Sequence, residues 1–408
     1  MKVLFRRCAG LDVHKDTVVS CARLREGRRV VYETATFATT TVGLLGLADW
    51  LEARQVRRVA LEATGVYWKP VWHILEPRFE LVLANAHEVR NLPGRKSDVH
   101  DAQWLADLLA HGLFRASFVP PAPIQELRDL TRTRKQLVRA IGQHTLRIQK
   151  TLKDANVKIT GTISDVVGVS GRAIVRGLIA GESDPARLLA ATTGLLRAPR
   201  QRLLEGLQGR VTEHHRFLLR LHLEQIEALE RAIGELEERV EALIVPFRAR
   251  VDLLTTMPGV SQTLARVIVA EIGLDMGRFA SAGHLISWAG LCPRLDESAG
   301  KRRSTRLRHG APWLKTTLVQ SAWAAVAVKN SYLRAQFLRL KTRRGPKKAI
   351  VAVAASMLKA AYFMLRDGQP YRELGGTYLD QRDRHYALRR LTRRIEALGF
   401  HVEVRPAA

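Results

Sequence analysis

The chain has 408 residues, 46% of them apolar, enough for two or three domains with buried cores. Sixty-six Lys and Arg against thirty-nine Asp and Glu leave a net charge of +27. Such an excess points to a polyanionic partner, because phosphate contacts release condensed counterions. No run reaches the roughly 18 uninterrupted apolar residues of a membrane span, Met1–Arg7 is too poor in apolar residues for a signal peptide, and Cys8, Cys21 and Cys292 lack CxxC spacing. A membrane protein, a disulfide framework and a zinc ribbon are therefore not expected, and the cytoplasm is the expected compartment.

Three short strands are expected first, at Cys8–Val13, Thr17–Leu24 and Val30–Phe37, with a turn at Arg25-Glu26-Gly27. A helix pattern at Val42–Ala53 follows, then buried strands at Arg58–Leu61 and Glu80–Ala84 with a helix near Val66–Leu75 between them. Ser97 or Asp98 can cap a helix running to about Leu109, with Trp104, Leu105, Leu108 and Leu109 as its apolar stripe. A meander followed by crossover units is the order of a ribonuclease-H-like α/β fold. Pro120-Pro121-Ala122-Pro123 is the clearest linker.

Beyond it the pattern is helical. Gln125–Ala155 and Thr212–Ile244 read as long helices, and the second carries a coiled-coil seam of Ile226, Leu229, Ile233, Leu236, Val240 and Leu243. Short helices broken by glycines between them suggest two antiparallel arms with an elaborated tip. The bland reading is two ordinary helices of a compact bundle. Met257-Pro258-Gly259-Val260-Ser261 before Thr263–Ile272 resembles half of a helix-hairpin-helix, whose turn can approach a phosphate, or a capped core helix. A polar loop, Asp296–Gly310, precedes helices at Pro312–Val328 and Pro346–Leu365, and a basic helix near Arg382–Ala397 lies in the tail. From Ser298 to Arg366 there are sixteen Lys and Arg and no Asp or Glu. These patterns divide the chain into 1–119, 124–246, 251–367 and a basic extension, 368–408.

Two constellations carry chemistry. Asp12 ends an apolar strand, Glu62 follows the apolar run Val59-Ala60-Leu61, and Asp98 and Asp101 share one helix face. Hard divalent cations take carboxylate oxygens, and two Mg²⁺ ions (or Mn²⁺ in their place) could activate the attacking oxygen and stabilise the leaving one in phosphoryl transfer. Singly, each residue has a mundane reading as a cap or solvated charge, except Asp12, which is costly inside an apolar strand without a partner. His14 and His100 read as outer contacts rather than ligands. The second constellation is Glu297-Ser298-Ala299-Gly300-Lys301-Arg302-Arg303-Ser304. Ser298 could be a nucleophile facing phosphate, with Ser304 as the fallback, or the segment could be a basic DNA-contacting loop. The expected nucleic-acid contacts are Lys96, Lys301, Arg302, Arg303, Arg306, Arg308 and Lys315.

Gly10-Leu11-Asp12-Val13-His14-Lys15, Leu61-Glu62-Ala63-Thr64-Gly65, Lys96-Ser97-Asp98-Val99-His100-Asp101, Trp288-Ala289-Gly290-Leu291-Cys292-Pro293 and Glu297-Ser298-Ala299-Gly300-Lys301 stand in a specific order. In this order the chain resembles DEDD-type insertion-sequence transposases with a carboxy-terminal serine transposase domain, the family described as bridge-RNA-guided recombinases. The resemblance implies a RuvC-like metal domain with Asp12, Glu62, Asp98 and Asp101 as the quartet, and a coiled-coil arm for self-association as a dimer or tetramer. It also implies a mainly helical transposase domain whose nucleophile is Ser298, DNA ends and target as substrates, and a structured guide RNA that reads sequence by base pairing. Relatives carry paired serines and paired glycines where this chain has Glu297 and Ala299. The competing readings are a RuvC-like nuclease that cuts branched DNA with metal-activated water, and a catalytically silent RNA/DNA scaffold.

Overall fold

The computed structural model describes residues 3–27, 29–62, 65–84, 98–114, 116–193, 196, 198–293, 296–304, 306–308 and 310–404. The chain divides into two compact units, Met1–Val119 and Pro120–Ala408.

The first unit is built on a five-stranded mixed sheet. Strands β1 (Arg7–Val13), β2 (Thr17–Glu26) and β3 (Arg29–Ala38) form an antiparallel meander, and β4 (Arg58–Glu62) and β5 (Glu80–Ala84) add in parallel, giving the order β3-β2-β1-β4-β5. Alternation assigns each strand residue a face. Ala9, Leu11 and Val13 of β1 join Val59 and Leu61 of β4 on one side. Helices α1 (Thr41–Ala53) and α2 (Trp68–Leu75) cover that side with Leu44, Leu47, Leu51, Val71 and Leu75. Thr40 caps α1 by accepting from the Gly43 N–H at 3.2 Å. Helix α3 (Asp98–His111) covers the opposite face, where Leu109 and Ala110 meet Cys8 and Ala60.

The second unit begins with α4 (Ala122–Asp154). Ala122 and Pro123 belong to its first turn, where a missing N–H costs nothing, so the expected linker shrinks to Pro120 and Pro121. The other long helix, α8 (Glu213–Ile244), runs antiparallel to α4. Ile148 and Leu152 of α4 pack with Leu219, Leu223 and Ile226 at one end; Ile124 and Leu127 pack with Val240 and Ile244 at the other. The coiled-coil seam is thus occupied largely by α4 of the same chain. Helices α5 (Val169–Ala180), α6 (Pro185–Ala190) and α7 (Arg200–Leu207) close the tip around their own small core.

At the root, α9 (Arg248–Thr255), α10 (Gln262–Ile272), α11 (Ala282–Trp288), α12 (Pro312–Ala325), α13 (Tyr332–Arg344) and α14 (Pro346–Asp367) share one core with the ends of α4 and α8. The sequence pattern did not predict α13, because only Leu333 and Phe337 of its thirteen residues are buried. By length and composition α14 could cross a membrane, yet its apolar side, including Ile350, Val353, Met357, Leu358 and Ala361, belongs to the core of this unit. Short helices α15 (Tyr378–Arg382) and α16 (Arg384–Glu396) end the chain.

Candidate active site

Strands β1 and β4 are hydrogen-bonded neighbours in parallel register, Gly10 opposite Ala60 and Leu11 opposite Leu61. Asp12 and Glu62 each stand one residue further on, so both lie at the carboxyl ends of adjacent strands. Period-two alternation puts them on the face of Gly10 and Ala60, the face that α3 covers. The Asp12 side chain is 13% exposed, and Glu62 is half-buried.

Gly10 brings α3 to these strand ends. A Cβ on Gly10 would lie 2.2 Å from the Ala102 carbonyl oxygen and 2.6 Å from the Ala106 nitrogen, so no other residue lets the helix sit this close. Gly10 is two residues before Asp12, and Ala102 directly follows Asp101. The same contact therefore carries the first turn of α3, with Asp98 and the half-buried Asp101, toward the ends of β1 and β4. The Cys8 thiol donates to the Ala106 carbonyl at 3.4 Å. Further along α3, Asp107 accepts from Arg23 Nε at 2.8 Å and from the Tyr32 hydroxyl at 2.7 Å. Arg23 is only 4% exposed. Asp107 is 27% exposed, so the pair is partly buried, and its two bonds from β2 and β3 fix the rotation of α3 as well as its distance. Burial pushes the Cys8 thiol up to about 12, which keeps it inert beside the carboxylates.

His14, expected as an outer contact, places Nε2 3.2 Å from Asp12 Oδ2. The donor set suits a hard divalent cation, being all carboxylate oxygen at one end of a sheet. Among the described residues, however, no group of three or more His, Cys, Asp or Glu is gathered closely enough to hold a metal. Lys96 lies outside the described residues, as do the side chains of Asp98, His100, Ser298, Arg302 and Arg303.

The serine segment, expected to be a loop, contains a β-hairpin. Strands β6 (Asp296–Ser298) and β7 (Lys301–Ser304) pair with Ser298 opposite Lys301. The two residues between them, Ala299 and Gly300, have φ of +49° and +73°, the pattern of a type I′ turn, whose twist matches that of the strands. Ser298 is thus the last strand residue before the turn. The hairpin base is fastened by the Pro293–Leu307 bridge and by Gly310, where a Cβ would lie 2.4 Å from the Gly290 nitrogen. Lys315 Nζ donates to the Arg308 carbonyl at 3.0 Å, and the Ser304 hydroxyl accepts from the Arg306 N–H at 3.2 Å. Lys301 and Arg306 are exposed, whereas Lys315 and Ser304 help hold this segment.

The Met257–Ser261 turn joins α9 to α10. A Cβ on Gly259 would lie 2.6 Å from the Ala325 nitrogen, and Ser321 donates its hydroxyl to the Gly259 carbonyl. Ser261 caps α10 by accepting from the Leu264 N–H at 3.3 Å. This is the capped core helix; its glycine is needed for packing against α12, not for approach to a phosphate.

One cluster had no signal in the sequence. Glu271 on α10 is 1% exposed and accepts two bonds of 2.8 Å from Arg132 on α4. Arg128, lowered to about 10 by burial, donates to the Ala270 and Glu271 carbonyls. Lys135 reaches the Trp313 carbonyl and the Thr316 and Thr317 hydroxyls, and Arg139 lies 5.3 Å from the Trp313 ring centroid. The root of the arm is thereby bonded to the helix that directly follows the serine hairpin. Only the interval between Arg128 and Arg132 could have suggested it, and the partners lie more than a hundred residues away.

Two family models match the chain: a transposase model of the DEDD type over residues 9–157 and the transposase IS116/IS110/IS902 family over residues 251–338. The probable family 20 transposase of Pseudomonas aeruginosa is 27% identical over 301 residues, which is 72% of this chain and 79% of that protein. The pilin gene-inverting protein of Moraxella bovis is 23% identical over 381 residues, 89% of this chain and 96% of the relative. Its counterpart in Moraxella lacunata is 22% identical over 380 residues, with the same shares.

Proposed function

We propose that this chain, matched by transposase models over residues 9–157 and 251–338, is a transposase of the IS110 family, and that it cuts and rejoins DNA with a carboxylate metal site and a serine nucleophile. The observation that carries the reading is the adjacency of Asp12 and Glu62 on parallel strands, faced by the helix turn of Asp98 and Asp101 across the Gly10 contact. The sheet order β3-β2-β1-β4-β5, three strands antiparallel and two parallel, is the one expected of a ribonuclease-H-like, RuvC-like domain. Asp12, Glu62, Asp98 and Asp101 would hold Mg²⁺, which when bound would supply charge to offset that of a phosphoryl group.

In this reading Ser298 Oγ loses its proton to solvent and bonds to phosphorus. The bond from phosphorus to one sugar oxygen breaks, and that oxygen leaves as a hydroxyl after taking a proton. Attack by a hydroxyl of a second strand reverses the link and frees the serine. Lys301 and Arg306, with Arg302 and Arg303, offset charge at the reacting phosphate. Two of the relatives are named for inverting a pilin gene, an outcome that needs paired cleavage and rejoining rather than hydrolysis.

A net charge of +27 supports a guide RNA beside the DNA. Self-association is supported by Val138, Leu146 and Leu221, which leave 45%, 65% and 40% of their surface exposed along the arm. The test is a pair of variants assayed on DNA carrying element ends. Ser298→Ala should abolish the covalent protein–DNA adduct and the rejoined product. Asp12→Asn with Asp101→Asn should stop cleavage while leaving DNA binding intact. Strand cutting retained by Ser298→Ala would favour the water-using nuclease, and cutting retained by the double variant would remove the metal site.

A further inference from the structure

We propose that the corner between α13 and α14 is a docking surface for the phosphate backbone of duplex DNA. Lys341, Arg343 and Arg344 end α13, and Lys347 and Lys348 open α14, with only Gly345 and Pro346 between the two groups. All five side chains are exposed, and none has an ion pair, hydrogen bond or ring contact among the described residues. The stretch from Ser298 to Arg366 carries no Asp or Glu, and the tail's Asp383 lies beside Arg339, two residues before Lys341. These residues lie beyond position 338, where the second family match ends, and outside the hairpin cations.

The alternative source of such a cluster is helix capping, and it explains only half. Cations in the last turn of α13 are favourable beside the negative end of that helix. Lys347 and Lys348 sit in the first turn of α14, beside its positive end and with no acidic residue there, where cations weaken the helix. Charge placed against the dipole makes the fold worse and the corner a stronger anion site. Both helices are anchored beside the corner: Ala349 and Ile350 are buried directly after the lysines, and Leu340 packs against the core just before Lys341. Gly345 has φ of +79°, and a Cβ there would meet nothing within 4 Å. That glycine serves the turn and leaves the corner open to a backbone. An ordered array of unpaired cations on a fixed frame fits regularly spaced phosphates.

DNA is the partner because the family acts on DNA. The proposal needs that substrate alone, and neither the metal site nor Ser298. The experiment uses the full chain in chelator, so chemistry does not enter, with a labelled random-sequence DNA duplex titrated by anisotropy from 50 to 200 mM salt. Replacing Arg343, Arg344, Lys347 and Lys348 by Gln should make the slope of log affinity against log salt shallower by about 2 to 4. The matching replacement of Arg147, Lys150, Lys153 and Arg210, exposed on the arm, should change it by less than about 1. A second variant, Lys347→Glu with Lys348→Glu, should weaken DNA binding while the unfolding midpoint stays level or rises, an opposition that misfolding cannot produce. An unchanged slope, an equal change in the arm variant, or a loss seen with duplex RNA of the same sequence but not with DNA would overturn the proposal.

Discussion

The carboxylate end of the first sheet and the serine hairpin of the helical unit hold their candidate residues in opposite ways. Asp12 sits on a strand paired on both sides, by β2 and by β4, beneath a helix fixed by Gly10 and by the Arg23–Asp107–Tyr32 clamp. Ser298 ends a three-residue strand with one partner of four, fastened only at its base. Two-stranded hairpins of that size have little stability of their own. The contrast is between a frame braced on several sides and a tip braced only at its base.

The harshest way to break this comparison is Gly10→Val. The new side chain would meet the backbone of α3, not a side chain that can turn aside. A cost of about 3 kcal/mol or more follows, roughly 15 °C or more in the midpoint of the first unit, and DNA cleavage should vanish with it. A variant that kept its midpoint and its activity would show that α3 is not held by this contact. On the hairpin side the expected effect is smaller and opposite in sign. Ala299 holds φ of +49°, a conformation that costs an L-residue about 1 kcal/mol and glycine nothing. Ala299→Gly should therefore slow amide exchange in β6 and β7, whereas Gly300→Val should speed it. Equal exchange in the two variants would mean the turn does not limit hairpin formation.

The smallest effect sharpens the contrast within the helical unit. His144 on α4 and His222 on α8 place their Nδ1 atoms 3.3 Å apart, and both are lowered by burial first, with Arg147 adding for His144, and His144 and then Arg147 for His222. A histidine whose folded value is depressed contributes stability that is complete above the unfolded value, near 6.5, and is lost as pH falls below it toward the folded value. Acidification from pH 7 to 5 should speed exchange in the middle of the arm. His222→Phe should flatten that dependence. A flat profile in the unchanged chain would mean the pair is hydrated.

Where burial follows a strict period, the sequence was legible almost to the residue. The strand expected at Glu80–Ala84 is observed at those bounds, and the other strands and long helices differ by a few residues at most. The order of elements also made β1 and β4 readable as neighbours, which brings Asp12 and Glu62 to adjacent strand ends, and alternation assigned each strand one face against α1 and α2. Three features were not legible. Helix α13 buries two residues and is basic elsewhere, so it carries too little pattern. The hairpin at Ser298 has no apolar alternation and an Ala-Gly turn in place of Asn-Gly. The seam on α8 was visible, but a heptad pattern does not say whether its partner belongs to the same chain.

Helix α4 has a mechanical consequence. Its thirty-three residues span about 50 Å, and the bonds from Arg128, Arg132 and Lys135 pin it within its first half. A rod pinned near one end works as a lever with a long outer arm. Anything that grips the tip between α5 and α7 has mechanical advantage on the pivot, where Lys135 is bonded to the first two turns of α12, the next helix after Ser298. The tip of the arm and the helix after the serine hairpin are thus two ends of one pinned rod.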